Sequence, residues 1–167
     1  YDMELIDLYQ QKTHGGSMRY VLAKRGAYKS SKRVKEIIEI EKSQGLDDLN
    51  ELKKFAANVK NSKNDLISIL KELKNKGKRI VGYAATSKST TIFNYCKING
   101  DLLDYICDTT PLKQGKLSPG MHIPIVPVSH FHNNIQDIAY LFAWNHKDEI
   151  LFKEKNFSKK GGEWFSH

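Results

Sequence analysis

Three observations predict an α/β chain. From Lys78 onward, short apolar runs alternate with helical stretches. Residues 1–23 read as two strands on either side of Gly15-Gly16. Between them, apolar residues recur at helical steps of three, four and seven. Strands alternating with helices imply a parallel sheet with right-handed crossovers. The predicted fold is therefore a Rossmann-like parallel sheet with flanking helices, preceded by a β-hairpin and a helical segment that includes one long helix.

The hairpin has Leu5, Ile6 and Leu8 leading to Tyr9, then Met18 to Leu22 after the glycine turn. An isolated hairpin is marginal in water and needs a surface to pack on. The chain also opens at Tyr1 rather than Met, so the reading is a piece of a longer protein whose preceding domain ends with residues 1–27. Residues 28–77 form a helical connector. Ser30-Ser31 offers N-cap hydroxyls to a first helix carrying Val34, Ile37 and Ile38 and closed by Gly45. Asp47 and Asp48 cap a second, long helix with Leu52, Ala56, Val59, Leu66, Leu70 and Leu73 on one stripe, broken by Lys63 and ended by Gly77. At ~1.5 Å per residue that helix is roughly 42 Å long.

Residues 78–167 form the sheet domain. Strands are expected at Arg79 to Ala84, Leu102 to Asp108, Ile123 to Val128, Ile138 to Trp144 and Glu163 to Ser166. The third is flanked by prolines and belongs near an edge. Helices are expected at Thr91 to Lys97 and His146 to Phe157.

Composition narrows the function classes. Hydrophobic residues make up 40% and charged residues 28%, a globular balance. Apolar runs such as Ile138 to Trp144 are far shorter than the ~20 residues of a membrane-spanning helix. No charged-then-apolar leader opens the chain. Cys96 and Cys107 sit among apolar neighbours, as buried reduced thiols do, and fit a cytoplasmic location. The net charge of +8 arises in residues 24–79, with 16 Lys and Arg against 8 Asp and Glu; the rest of the chain balances 11 against 11. Of the 27 basic residues 23 are Lys, whereas base-reading proteins lean on Arg. A solvated Lys-rich helical face is expected, with no nucleic-acid or membrane partner.

In an open α/β sheet, ligands bind beyond the carboxyl ends of the strands where strand order reverses. Gly82-Tyr83-Ala84-Ala85-Thr86-Ser87-Lys88 leaves the first strand for a helix. Small residues permit close approach, and hydroxyls and a lysine at a helix start suit a phosphate or diphosphate. The run has neither the Walker A frame nor a GxGxxG pattern. Asp108, at the end of the second strand, has two readings: an acceptor for ribose hydroxyls or a turn former before Thr109-Thr110-Pro111. Lys113 lies in the same loop, His122 in the turn-rich loop before the third strand, and Trp144-Asn145 at the tip after the fourth, where Trp144 offers a stacking surface or ordinary core. The six histidines, including His130, His132, His146 and His167, show no ligand spacing for zinc. His14, before Gly15-Gly16, is either a base or a turn residue.

These strings resemble a known family. Gly82-Tyr83-Ala84-Ala85 with Lys88 and Asn94-Tyr95, Leu103-Asp104-Tyr105 with Asp108, Pro111, Lys113-Gln114-Gly115, Pro119-Gly120 with His122-Ile123-Pro124, and Ala143-Trp144-Asn145 with Glu149-Ile150 together look like the C-terminal domain of S-adenosylmethionine-dependent nucleotide-sugar C-methyltransferases. His14 to Arg19 resembles the hairpin that closes the methyltransferase domain before it. Members often carry glycine where Ala84 and Ser89 stand here. The resemblance implies an enzyme with an upstream zinc-binding region and an upstream domain binding S-adenosylmethionine, so that this chain holds no cofactor itself. It also implies a nucleoside-diphosphate sugar and the upstream methyltransferase domain as partners. Thr86, Ser87 and Lys88 are then expected at the diphosphate, Asp108 and Lys113 on the nucleoside side, and His14 nearest the sugar, with Gly82, Tyr83, His122, Trp144 and Asn145 completing the site.

Overall fold

A computed structural model describes residues 1–134 and 136–166, so His167 lies outside the described residues. The chain divides into two units, residues 1–59 and 60–167.

The first unit opens with β1 (Met3–Gln11) and β2 (Ser17–Lys24), an antiparallel hairpin with a register shift between Leu5 and Asp7. The helix α1 (Lys32–Ser43) follows. Asp7 ties it to β1: its carboxylate accepts from the Ser31 hydroxyl at 2.6 Å and from two nitrogens of Arg33. Those bonds, the Arg33 guanidinium first, hold the Asp7 carboxyl well below its ordinary range. Ser31 is the residue before α1 as expected, but its hydroxyl turns to Asp7 and makes no capping bond. At the next helix, Asp48 does cap, accepting from the Asn50 amide at 2.8 Å. The helix α2 (Leu49–Asn75) has 27 residues and crosses the division between the units.

In the second unit a five-stranded parallel sheet runs in the order β5-β4-β3-β6-β7, from β3 (Ile80–Tyr83), β4 (Ile106–Asp108), β5 (Ile125–Pro127), β6 (Ile138–Leu141) and β7 (Glu163–Phe165). Successive strand residues alternate between two cores. Ile80, Ile106, Ile138, Tyr140 and Phe142 pack with Leu66 and Leu70 of α2 and Phe93 of α3 (Ser87–Cys96). On the other face Val81, Tyr83, Cys107, Ala139 and Leu141 pack with Phe131 of α4 (Val128–Asn133) and Phe157 of α6 (Lys155–Lys159); α5 (Lys147–Lys153) precedes α6. Both cysteines are free and buried, and burial raises both thiols above their ordinary value. Among the described residues no helix is long and apolar enough to cross a membrane.

Several expected boundaries move. The strand before Asp108 begins only at Ile106, because the amides of Leu102 and Leu103 bond back to Asn99 in a turn. The helix after β3 begins at Ser87, four residues early. Hydroxyls that argue for a loop in a sequence here close the helix: Thr86 Oγ1 caps the Ser89 amide at 3.1 Å, and Ser89 and Thr91 donate to the carbonyls of Thr86 and Ser87. The expected helix from His146 is divided between α5 and α6 at Glu154, and α4 is a helix beyond those expected.

Candidate functional site

Strand β3 sends the chain to β4 on one side, and the chain later returns to β6 on the other, so strand order reverses between β3 and β6. The turns leaving these two strands flank the crevice where open α/β sheets bind ligands. On the β3 side stands the start of α3. The Ser89 amide is capped by Thr86 and the Thr90 amide is the first to donate along the helix, so the amides of Ser87 and Lys88 precede the first helical donor. On the β6 side, Trp144 and Asn145 lie in a single 3-10 turn, Trp144–His146. Lys88 joins the two sides: its Nζ donates to Asn145 Oδ1 at 2.9 Å and lies 4.5 Å from the centre of the Trp144 ring.

Asp108 is 6% exposed and holds the neighbouring loops together. Its Oδ2 accepts the Ala85 amide at 2.7 Å and its Oδ1 the Thr110 amide at 2.8 Å, while Lys113 Nζ lies 3.3 Å from Oδ2 and donates to the Ala85 carbonyl at 2.7 Å. Burial opposes the Asp108 charge most strongly, but the Thr110 and Lys113 bonds outweigh it and keep the carboxyl below its ordinary value. An adenosyl ribose in this crevice would need an acceptor at the end of β4. The carboxylate there already accepts from the Ala85 and Thr110 amides and from Lys113.

The other expected site residues disperse. Gly82 lies inside β3, where a Cβ would meet Ile106 at 3.0 Å and Phe142 at 3.1 Å; it serves close packing. Tyr83 is buried on the second face, its hydroxyl bonded to Glu154. His122, at φ 55°, precedes the amino end of β5. Parallel pairing sets that end opposite the crevice, apart from Lys88 and Asn145. His14 stands in the hairpin turn of the first unit, exposed, at φ 56°. Among the described residues no three His, Cys, Asp or Glu side chains gather as a metal site.

Residues 12–167 match the model of the C-methyltransferase C-terminal domain family. The chain belongs to this family. It is also 28% identical over 165 residues to C-methyltransferase NovU of Streptomyces niveus, an alignment that covers 98% of the chain and 39% of that relative's length.

Within this C-methyltransferase C-terminal domain, several residues of the strings that carried the resemblance hold the fold. Asn94 Nδ2 donates to the Pro119 carbonyl at 3.0 Å, and a Cβ on Gly120, at φ 84°, would lie 1.9 Å from Asn94 Oδ1. Gln114 donates to the Asp108 carbonyl, and the Gly115 amide to Ile125. Ala84 holds φ 73° at the exit of β3, a left-handed geometry that favours glycine.

The domain also contains a cleft of about 590 Å³ between α4 and the α5–α6 break, which sequence reasoning missed. Its floor includes Phe131 and Phe157, and Lys153 and Lys160 are among its lining residues. Glu154, 4% exposed, accepts from the Tyr83 hydroxyl at 2.8 Å and lies 2.7 Å from His132 Nε2. Burial first, and then Glu154, raise the Tyr83 hydroxyl far above its ordinary value. Residues 133, 134, 160 and 162 precede β6 and β7, so the cleft opens toward the amino ends of the strands. Neither sequence spacing nor a motif links His132 to Glu154. The crevice is the better candidate because it combines the strand-order reversal, the start of a helix and a cation.

Proposed function

We propose that this chain is the substrate-side part of an S-adenosylmethionine-dependent methyltransferase acting on a nucleotide-linked keto-sugar, and that the crevice between β3 and β6 receives the diphosphate. The observation that carries this reading is the position of Lys88, its ammonium across the crevice from the start of α3 to the Trp144–Asn145 turn. Helix-start amides and a fixed ammonium are the groups a diphosphate requires. Thr86 shapes the cap, Ser87 and Lys88 supply amides and charge, and the Asp108–Lys113 pair stiffens the adjoining wall. The chain spans 39% of the curated relative it matches, and the donor and the proton removal beside the sugar carbonyl, which gives an enolate carbon, are assigned to the preceding part of a longer protein. His14, on the hairpin, is the residue of this chain assigned nearest the sugar. Alone, the chain is expected to bind and not to turn over. The unpaired thiols suit a reducing, cytoplasmic setting.

The test is calorimetric titration of a nucleoside-diphosphate sugar into the chain and into Lys88→Ala, with NAD and S-adenosylmethionine as comparison ligands. The expected result is about ten-fold weaker sugar-nucleotide binding by the variant, the loss of one charge-assisted contact. Equal binding removes Lys88 from the site, and preference for NAD favours a free-standing nucleotide-binding domain.

A further inference from the structure

A lysine is a compact charge on a flexible stem with three donors. Its value to an anion depends on what holds it and on whether the holder cancels its charge. Elsewhere in this unit some ammonium groups sit against carboxylates, Lys74 on Asp104, Lys76 on Glu72 and Lys113 on Asp108, and others lie over a ring alone, Lys63 over Tyr95 and Lys155 over Phe152. Lys88 differs. It is held by a neutral amide oxygen at 2.9 Å and the face of an indole ring at 4.5 Å, and among the described residues no carboxylate forms an ion pair with it. Both holders belong to one turn after β6, while Lys88 starts the helix after β3, the strand paired with β6. The side chain is therefore fixed across the strand-order reversal with its full charge. Asn145 accepts one ammonium hydrogen, which leaves the others for a ligand.

We infer that Trp144 and Asn145 are positioning residues that hold the Lys88 ammonium uncancelled over the crevice, so that an incoming diphosphate meets a prepaid cation geometry. This rests on the diphosphate reading above. It departs from that reading by giving the two residues an effect exerted through Lys88 rather than through their own contacts with the ligand.

A double-mutant cycle separates the possibilities, with inorganic pyrophosphate as the probe and calorimetry as the readout. Lys88→Met is expected to weaken binding about ten-fold. Asn145→Ala and Trp144→Leu are each expected to weaken it about three- to five-fold, the scale of a lost hydrogen bond or cation–π contact. Trp144→Phe, which keeps a ring face, should stay within about two-fold of the parent. In the Lys88→Met background Asn145→Ala and Trp144→Leu should have no further effect. Equal losses in both backgrounds would mean that the residues touch the anion directly, and this overturns the inference. Tighter binding by Asn145→Ala would make the turn a competitor for Lys88 and overturns it as well. If instead Lys88→Met binds like the parent, or the parent does not bind, the diphosphate reading itself fails. Matching circular dichroism and melting curves establish that each variant is folded.

Discussion

The crevice at the carboxyl ends of the sheet and the cleft beneath α4 hold their charges in opposite ways. In the crevice, Lys88 rests on neutral groups and keeps its charge. In the cleft, Glu154 is nearly inaccessible and is met by Tyr83 and His132. A buried carboxylate without partners is costly, so its hydrogen bonds are part of the fold. A half-exposed ammonium that pairs with no carboxylate among the described residues is available to a ligand. The cleft is thus the structural feature, and the crevice the candidate site.

The widest gap between the two regions should appear on removing Glu154. Glu154→Ala leaves the buried Tyr83 hydroxyl without its acceptor and separates α4 from the α5–α6 break, at an expected cost of about 3 kcal/mol. Urea unfolding should show that loss while pyrophosphate affinity of the folded variant is unchanged. A parallel loss of affinity would join the cleft to the site.

A smaller effect of opposite sign is expected at the crevice entrance. Ala84 holds a left-handed φ of 73° that costs an L-residue about 1 kcal/mol or more relative to glycine. Ala84→Gly should therefore raise the unfolding free energy by roughly 0.5–1 kcal/mol, after the greater chain entropy of glycine in the unfolded state is subtracted. A lower melting temperature would show that the Ala84 methyl packs usefully.

The smallest effect concerns acid. The Asp108 carboxyl titrates below its ordinary value of 3.8 in the folded chain. Its ionised form therefore contributes stability that is fully present above that pH and is lost as pH falls through the lower folded value. Asp108→Asn should flatten the acid limb of the stability curve below about pH 3.8 relative to the parent. An unchanged slope would assign that limb to other depressed carboxyls, such as Asp7 and Asp137.

The elements that read clearly from the sequence are those whose signal is local and periodic. The hairpin, the apolar repeat in the second half of α2 and the continuous apolar runs of β3 and β6 are written in short stretches of neighbouring residues. Boundaries set by side-chain hydroxyls were less legible. The Ser-Thr run from Thr86 to Thr91 has the composition of a loop, yet its hydroxyls satisfy the backbone of a helix. Site residues divided similarly. Lys88, Trp144 and Asn145 were legible as tips of the right strands. Their mutual contact was not, because 57 residues separate Lys88 from Asn145. The acid at the end of β4 was placed correctly along the chain, but its inward bonding to Ala85 and Thr110 depends on how two loops fold over each other.

By itself the sequence determined the order of the strands, the long helix, the family pattern and the residues that could carry charge, because each follows from short-range periodicity and residue chemistry. Only the tertiary structure decided that Lys88 is held by neutral groups, that Asp108 pins two loops, and that His122 stands before the amino end of β5. Strand order and long-range packing set those outcomes, and they bring together residues whose spacing along the chain carries no signal of the contact.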